Sequence, residues 1–180
     1  MSDIVPERGN LALLQQRTLI VVRHAKSSWA EAGLSDHDRP LNKRGFRDAP
    51  RMGTRLSAMG YHPQIVFSST ALRARTTAEL LVAELGLTDG VIETSEALYG
   101  AMPGEVLDQV GAFDDVHDTA MVVAHNPGIT ELVNYLGGSN IYNVPTCGVA
   151  ILGVDGGGWQ EFIPGNASLI HYDYPKSKDD

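Results

Sequence analysis

The sequence predicts an α/β fold, a three-layer αβα sandwich whose central sheet is mainly parallel with an antiparallel C-terminal edge. Three observations carry this. Thr18-Leu19-Ile20-Val21-Val22 and Thr119-Ala120-Met121-Val122-Val123-Ala124 are uncharged runs rich in β-branched residues, of the kind buried on both faces of a parallel sheet. Segments with apolar residues at helical spacing lie between such runs, the alternation that builds a parallel sheet. The last third of the chain has short strand-like segments around Asp155-Gly156-Gly157-Gly158, the pattern of an antiparallel hairpin.

Taken in order, residues 1–17 read as an N-terminal arm and 18–174 as a single domain. Strand one covers 18–23. The loop over 24–40 is long, polar and carboxylate-rich, and such loops in compact domains are usually functional or disordered. Asn42 opens a helix in which Phe46, Ala49, Met52, Leu56 and Met59 repeat at helical spacing; Pro50 predicts a kink or a late start, and Gly60 the stop. Residues 64–69 form a second strand that ends in hydroxyls. A helix follows over 70–85, with Leu72, Ala78, Leu81 and Leu85 inward and Gly86 ending it. Val91-Ile92 read as a brief strand, and 103–113 as a helix with proline in its first turn. After the strand over 119–124, Asn126 is placed as N-cap and Pro127 at the first helical position, with Ile129, Leu132, Val133 and Leu136 along one face. Strands are expected at 147–153, 159–163 and 168–173, then a charged, mobile tail over 175–180.

A net charge of −8 and a pI near 5.1 argue against nucleic acid or an anionic membrane as the main partner. A small anionic substrate stays compatible, because a few inward arginines dominate a local field. The one cysteine, Cys147, permits no internal disulfide and suits a reducing cytosol. No segment approaches the roughly 18 apolar residues of a membrane span. Leu11-Ala12-Leu13-Leu14 is too short for a signal-peptide core of about 7–15 residues. These features predict a cytoplasmic protein.

Four residues then share one address. Arg23 and His24 end strand one, Arg73 opens the helix after strand two, and His125 ends the later apolar strand. If those strands are neighbours, the side chains converge at the carboxyl edge of the sheet, where α/β proteins bind ligands. Taken alone, Arg23 reads as a solvated strand end and His24 as a capped loop histidine. The second arginine and second histidine change that reading. Two guanidiniums grip a phosphoryl group bidentately, and the helix start near Pro127 adds backbone donors. A neutral imidazole can attack phosphorus to give an N-phosphoryl intermediate. The charge spread over the equatorial oxygens is then stabilised without requiring a metal or cofactor. His37, His62, His117 and His171 share no ligand spacing, and no phosphate-cradling Gly-Lys-Ser/Thr loop occurs.

Arg23-His24-Ala25-Lys26-Ser27, the stretch 69–78 around Arg73, and Ala124-His125-Asn126-Pro127-Gly128 resemble the three signature segments of the histidine phosphatase superfamily, whose core is shared with phosphoglycerate mutases. Asp36-His37-Asp38-Arg39-Pro40-Leu41-Asn42 resembles its phosphohistidine phosphatase branch, the SixA type. The resemblance spans 18–137 and implies a metal-independent phosphatase with His24 as nucleophile and Arg23, Arg73 and His125 on the phosphoryl oxygens. It implies a general acid in the loop after the first motif: Asp36 matches the position, with Asp38 and Glu31 as alternatives in the same loop. The implied substrate is a phosphoprotein carrying phosphohistidine. A small phosphomonoester, or a phospho-ligand bound without turnover, are the alternatives. Two departures stand out: Ala25 where many members have glycine, and Ser69-Thr70 with Thr76-Thr77 flanking the second arginine. Ser27 is a further candidate phosphate contact, and Asn126 reads as helix cap or substrate contact. Trp29 reads as loop packing or cleft wall, Tyr99-Gly100-Ala101 resembles a segment at the pocket rim, and Arg75 reads as solvated helix face.

Overall fold

The structure, a computed structural model, describes residues 16–177. Residues 1–15 of the expected arm and 178–180 of the expected tail lie outside the described residues. In chain order the elements are β1 (Gln16–Arg23), α1 (Lys43–Ala58), β2 (Ile65–Ser69), α2 (Leu72–Glu84), β3 (Ile92–Ser95), α3 (Pro103–Gly111), β4 (Thr119–Ala124), α4 (Gly128–Gly137), β5 (Val149–Asp155) and β6 (Ser168–Asp173). The strands form one sheet in the order β3-β2-β4-β1-β5-β6. The first four of these are parallel, while β5 and β6 add an antiparallel edge. This is the α/β architecture the sequence predicts.

Alternation along β1 divides the core. Leu19 and Val21 face α3 and α4 and meet Val106, Leu132 and Val133. Ile20 and Val22 face α1 and α2 and meet Met52, Leu56 and Leu81. All four β1 side chains are fully buried, which stabilises by about 1.5–3 kcal/mol each relative to exposure. A strand apolar on both faces fits only a covered, central position, which it has.

Several local expectations give way to packing. β1 begins at Gln16, so Arg17 belongs to the sheet rather than to the arm. Arg17 is buried because Asp115 and Asp118 neutralise it at 3.5 and 3.3 Å and the Trp159 ring covers it. α1 runs through Pro50 without a late start, and its buried stripe is Gly45, Asp48, Ala49, Met52, Gly53 and Leu56. Phe46 and Met59 are exposed instead. The buried Asp48 carboxylate is tolerated because Arg44 and Arg47 both pair with it. On α2, Leu72 is only partly buried. Residues 159–163 do not form a strand. Trp159–Glu161 make a short 3-10 turn, and the Trp159 and Phe162 rings stack in the core at 5.5 Å. β5 starts at Val149 because Cys147 takes a left-handed conformation (φ 61°) and turns the chain. Its N–H donates to the carbonyls of Arg23 and His24. The tail is fastened as far as Ser177, which accepts from Arg55 at 3.2 Å, and Pro175 is buried.

Gly128 opens α4 directly against the rim segment: a Cβ there would overlap the carbonyl oxygen of Ala101. Gly128→Ala should therefore destabilise the fold by about 3 kcal/mol, an overpacking cost against rigid backbone. For a chain of this size that lowers Tm by roughly 10 °C in a thermal melt. An unchanged Tm would show that the rim segment moves aside freely.

Candidate active site

The strand ends deliver the expected four side chains to one cleft. Arg23 pairs with Ala124 across β1 and β4, so His24 and His125 leave neighbouring strands at the same level. Their ring centroids are 5.0 Å apart. Arg73, near the start of α2 after β2, reaches the same point, its Nε donating to His24 Nε2 at 3.3 Å. His24, Arg73 and His125 are all buried. With Arg23, Lys26, Ser27, Trp29, Arg39, Asn126 and Thr146 they line a cleft of about 230 Å³.

Hydrogen bonds fix the state of His24. Its Nδ1 lies 2.7 Å from the carbonyl oxygen of Ala25. A carbonyl only accepts, so Nδ1 carries the proton and Nε2 keeps a lone pair facing the arginine. The Ala25 backbone is itself held, its N–H donating to Thr77 Oγ1 at 2.9 Å, while Thr77 donates to the Arg73 carbonyl at 2.6 Å. Burial in the main, reinforced by His125, Arg73 and Arg23, pulls the His24 pKa down to about 3. Burial and Arg73 likewise bring His125 down to about 4. Both rings are neutral at physiological pH. His125 Nε2 lies 2.7 Å from Ser69 Oγ. When that hydroxyl donates, Nδ1 of His125 is left as a donor.

Two buried nitrogen atoms lack a partner among the described residues, Arg23 Nε and His125 Nδ1. Buried donors are nearly always satisfied, and an anion in the cleft would satisfy both. Arg23 is anchored by its other end, Nη1 donating to the Val144 carbonyl at 2.8 Å and to Asn143 Oδ1 at 3.4 Å.

The loop carboxylates separate clearly. Asp36 bridges Arg39 at 2.8 Å and Arg73 at 2.9 Å, and the Tyr99 hydroxyl donates to it at 2.9 Å. Its partial burial pushes the pKa upward, but the hydrogen bonds from Arg39, Tyr99 and Arg73 outweigh this and hold the carboxyl well below the usual range. Asp36 is thus an ionised counter-ion in this arrangement, not a protonated acid. Asp38 bonds Ser35 and His37 on the exposed outer side of the loop, and Glu31 is exposed and does not line the cleft.

Ser27 lines the cleft and accepts from Arg39 Nη2 at 2.5 Å. Asn126 is not the residue flanking the helix: α4 begins at Gly128, and Pro127 takes the cap position. Asn126 Oδ1 still accepts from Thr130 N–H at 3.2 Å, and its amide donates to Asn143 and Val144. It therefore caps α4 from one residue further out and pins the loop that anchors Arg23. Trp29 is a cleft wall, 74 % exposed, with the Arg39 guanidinium 3.2 Å above its ring. Arg75 is exposed, as expected for a solvated helix face.

Residues 19–115 match the family profile of the histidine phosphatase superfamily (branch 1). The chain belongs to this superfamily. It is a phosphatase-type hydrolase by family. An uncharacterized protein of Mycobacterium tuberculosis is 36 % identical over 165 residues, covering 86 % of this chain and all of that protein. An uncharacterized chloroplastic protein of Arabidopsis thaliana is 35 % identical over 153 residues, 81 % of this chain and 70 % of its own. Among solved structures, one from Agrobacterium tumefaciens, described provisionally as the phosphohistidine phosphatase SixA, superposes with a TM-score of 0.75. It is 27 % identical and covers 88 % of this chain and 98 % of its own. No helix among the described residues is long and apolar enough to cross a membrane.

Thr77, Ser69 and Arg39 complete the site without standing among the site residues the sequence singles out, and Tyr99, whose segment resembles a pocket rim, joins them through Asp36. Thr77 had a signal, standing four residues after Arg73 on one helix face. Ser69 had another, as the hydroxyl that ends β2. Arg39 emerges only once the loop is folded.

Two outcomes follow from this geometry. Asp36→Asn removes a negative charge from Arg73 and should tighten binding of inorganic phosphate on the order of tenfold, measured by calorimetry. Weaker binding would mean that Asp36 orients the arginines more than it competes for them. Stability should also depend on pH with a definite sign. His24 and His125 have folded pKa values below their unfolded value of about 6.5, so the unfolded chain binds more protons. Unfolding free energy should therefore fall as pH drops from about 6.5 toward 4, with a slope near two protons that shrinks by about one in His24→Asn. Urea melts across that range would measure it, and a slope unaltered by His24→Asn would contradict the buried neutral ring.

Proposed function

We propose that the protein is a phosphohistidine phosphatase that takes the phosphoryl group from a phosphoprotein onto His24 and releases it to water. The observation that carries this is the Nδ1–H of His24 on the Ala25 carbonyl. It presents Nε2 as a lone pair at the floor of a cleft walled by Arg23, Arg73 and His125. The attack forms an Nε2–P bond as the bond from phosphorus to the substrate nitrogen breaks. The Ala25 carbonyl stabilises the positive charge that develops on the ring. Arg23, Arg73 and the His125 donor take the charge of the transferring oxygens. Water then attacks phosphorus as the Nε2–P bond breaks, its proton leaves with the phosphate or to solvent, and Nε2 recovers its lone pair.

The leaving group favours nitrogen over oxygen. With its other ring nitrogen protonated, a phosphoimidazole releases neutral imidazole, whose conjugate-acid pKa is about 6.5, and so departs with little help, whereas an alkoxide needs a strong general acid. The loop carboxylate nearest the cleft, Asp36, is held ionised by two arginines, so it suits a substrate that makes small demands on an acid. A cleft of about 230 Å³ also falls below the roughly 300–1,000 Å³ of sites that engulf a small molecule. It admits a phosphoryl group presented by a larger body. The likeness to the Agrobacterium structure supports the same substrate class.

His24→Ala should lower kcat by on the order of a thousandfold or more while phosphate binding persists. Rapid quench of the wild type with a radiolabelled phosphohistidine peptide should trap an acid-labile label that the variant lacks. Label on the variant would refute the assignment. A kcat/KM for simple phosphomonoesters equal to that for the peptide would favour the small-molecule reading.

A further inference from the structure

Charge is very unevenly distributed along this acidic chain. Residues 23–75 hold ten lysines and arginines against four aspartates and glutamates. Residues 76–175 hold no lysine or arginine and fourteen acidic residues. The fold turns this into two unlike faces. α1 carries Lys43, Arg44, Arg47, Arg51 and Arg55 with one acid, the buried Asp48. On the opposite face of the sheet, α3 and α4 carry Glu105, Asp108 and Glu131 and no cation.

Lys43, Arg47 and Arg51 are exposed and four residues apart, so they form one stripe along α1. The stripe begins at the cleft. Lys26 lines the cleft, its carbonyl accepts from Asn42 N–H at 2.9 Å, and Asn42 caps α1. Helix stability does not explain the stripe. The first turn of α1 contains no acid and holds Lys43 and Arg44 at the positive end of the helix dipole, where carboxylates are favoured. Like charges at four-residue spacing also repel. Asp48 offsets part of the charge by pairing with Arg44 and Arg47. Of the exposed loop acids, Asp38 is engaged by Ser35 and His37, and Glu31 carries one negative charge.

We propose that this stripe is a docking surface for an acidic segment of the phosphoprotein, lying beside the phosphohistidine that enters the cleft. The inference rests on the phosphoprotein reading above. Charge complementarity selects a short acidic stretch. Lys43 to Arg51 spans roughly 12 Å of helix, while the α3 and α4 face would repel a long polyanion such as nucleic acid.

The test uses two phosphohistidine peptides, one flanked by aspartate and glutamate and one by lysine, with para-nitrophenyl phosphate as the small substrate. For the wild type at low ionic strength, kcat/KM for the acidic peptide should exceed that for the lysine peptide by on the order of tenfold. The preference should narrow as salt is added. Lys43→Glu combined with Arg51→Glu should abolish the preference and leave turnover of para-nitrophenyl phosphate unchanged. Lys43→Glu alone should keep or raise Tm, since a carboxylate suits the first turn, and this separates docking from folding. Equal kcat/KM for the two peptides, or a charge reversal that lowers all three substrates together, would overturn the docking surface and leave the phosphohistidine reading standing. Turnover of para-nitrophenyl phosphate with neither peptide consumed would overturn the phosphoprotein reading itself. Stronger competition from a mixed-sequence oligonucleotide than from the unphosphorylated acidic peptide would reassign the stripe to nucleic acid.

Discussion

The cleft depends on one pairing, the parallel ladder between β1 and β4. Arg23 stands opposite Ala124, and His24 N–H donates to the Ala124 carbonyl at 3.0 Å. Parallel strands end on the same edge of a sheet, so the residues that follow them emerge side by side. That is why two histidines a hundred residues apart in sequence come to lie 5.0 Å apart. A shift of one residue in this register would send His125 toward the opposite face. β2, on the other side of β4, supplies Ser69 at its end and Arg73 just beyond. The geometry of the cleft is therefore a consequence of sheet register, guarded by the apolar side chains on both faces of β1.

The second theme is how charge is kept where it is useful. Neutral rings and permanently charged guanidiniums share a buried space, and burial enforces the difference: it deprotonates imidazole readily and guanidinium hardly at all. Burial also lowers the Arg23 pKa, yet a guanidinium starts so high that its charge survives. The groups that face the cleft are braced from behind by uncharged partners: the carbonyls of Val144 and Ala25 and the hydroxyls of Ser27 and Thr77 accept, and the Ser69 hydroxyl donates to His125. Such bracing lets the cleft meet an anion without first reorganising. Asp36 is the exception, an anionic side chain on a long loop, tied to two arginines and a tyrosine.

Much of this was legible in the sequence because it depends on local pattern. The central strands announce themselves by uncharged β-branched runs, and the polar residues that stop them mark the cleft edge. Arg23, His24, Arg73 and His125 converge as strand order predicts. What failed was decided by contacts distant in sequence. Trp159 and Phe162 look like strand residues but stack in the core beneath a short turn. Phe46 keeps the helical period yet faces out, because the buried stripe of α1 runs through Gly45, Ala49 and Met52, and Gly45 sits against the Lys26 carbonyl and Leu41, where a side chain would not fit. Asp36 could be found from its motif, but not its ionised state, which depends on Tyr99 and Arg73 arriving from other elements. Asn126 kept its capping role while the helix boundary moved past it.

Cys147 gives the site a further property. It lies directly behind His24, its N–H shared between the carbonyls of Arg23 and His24, and burial above all pushes its thiol up to about 12. A thiol in that state offers almost no thiolate to peroxide or to electrophilic reagents. It is the only cysteine in the sequence, and the nitrogen proposed as nucleophile stands outside the sulfur oxidation ladder. The thiol behind the cleft is thereby kept as a packing group rather than a rival nucleophile.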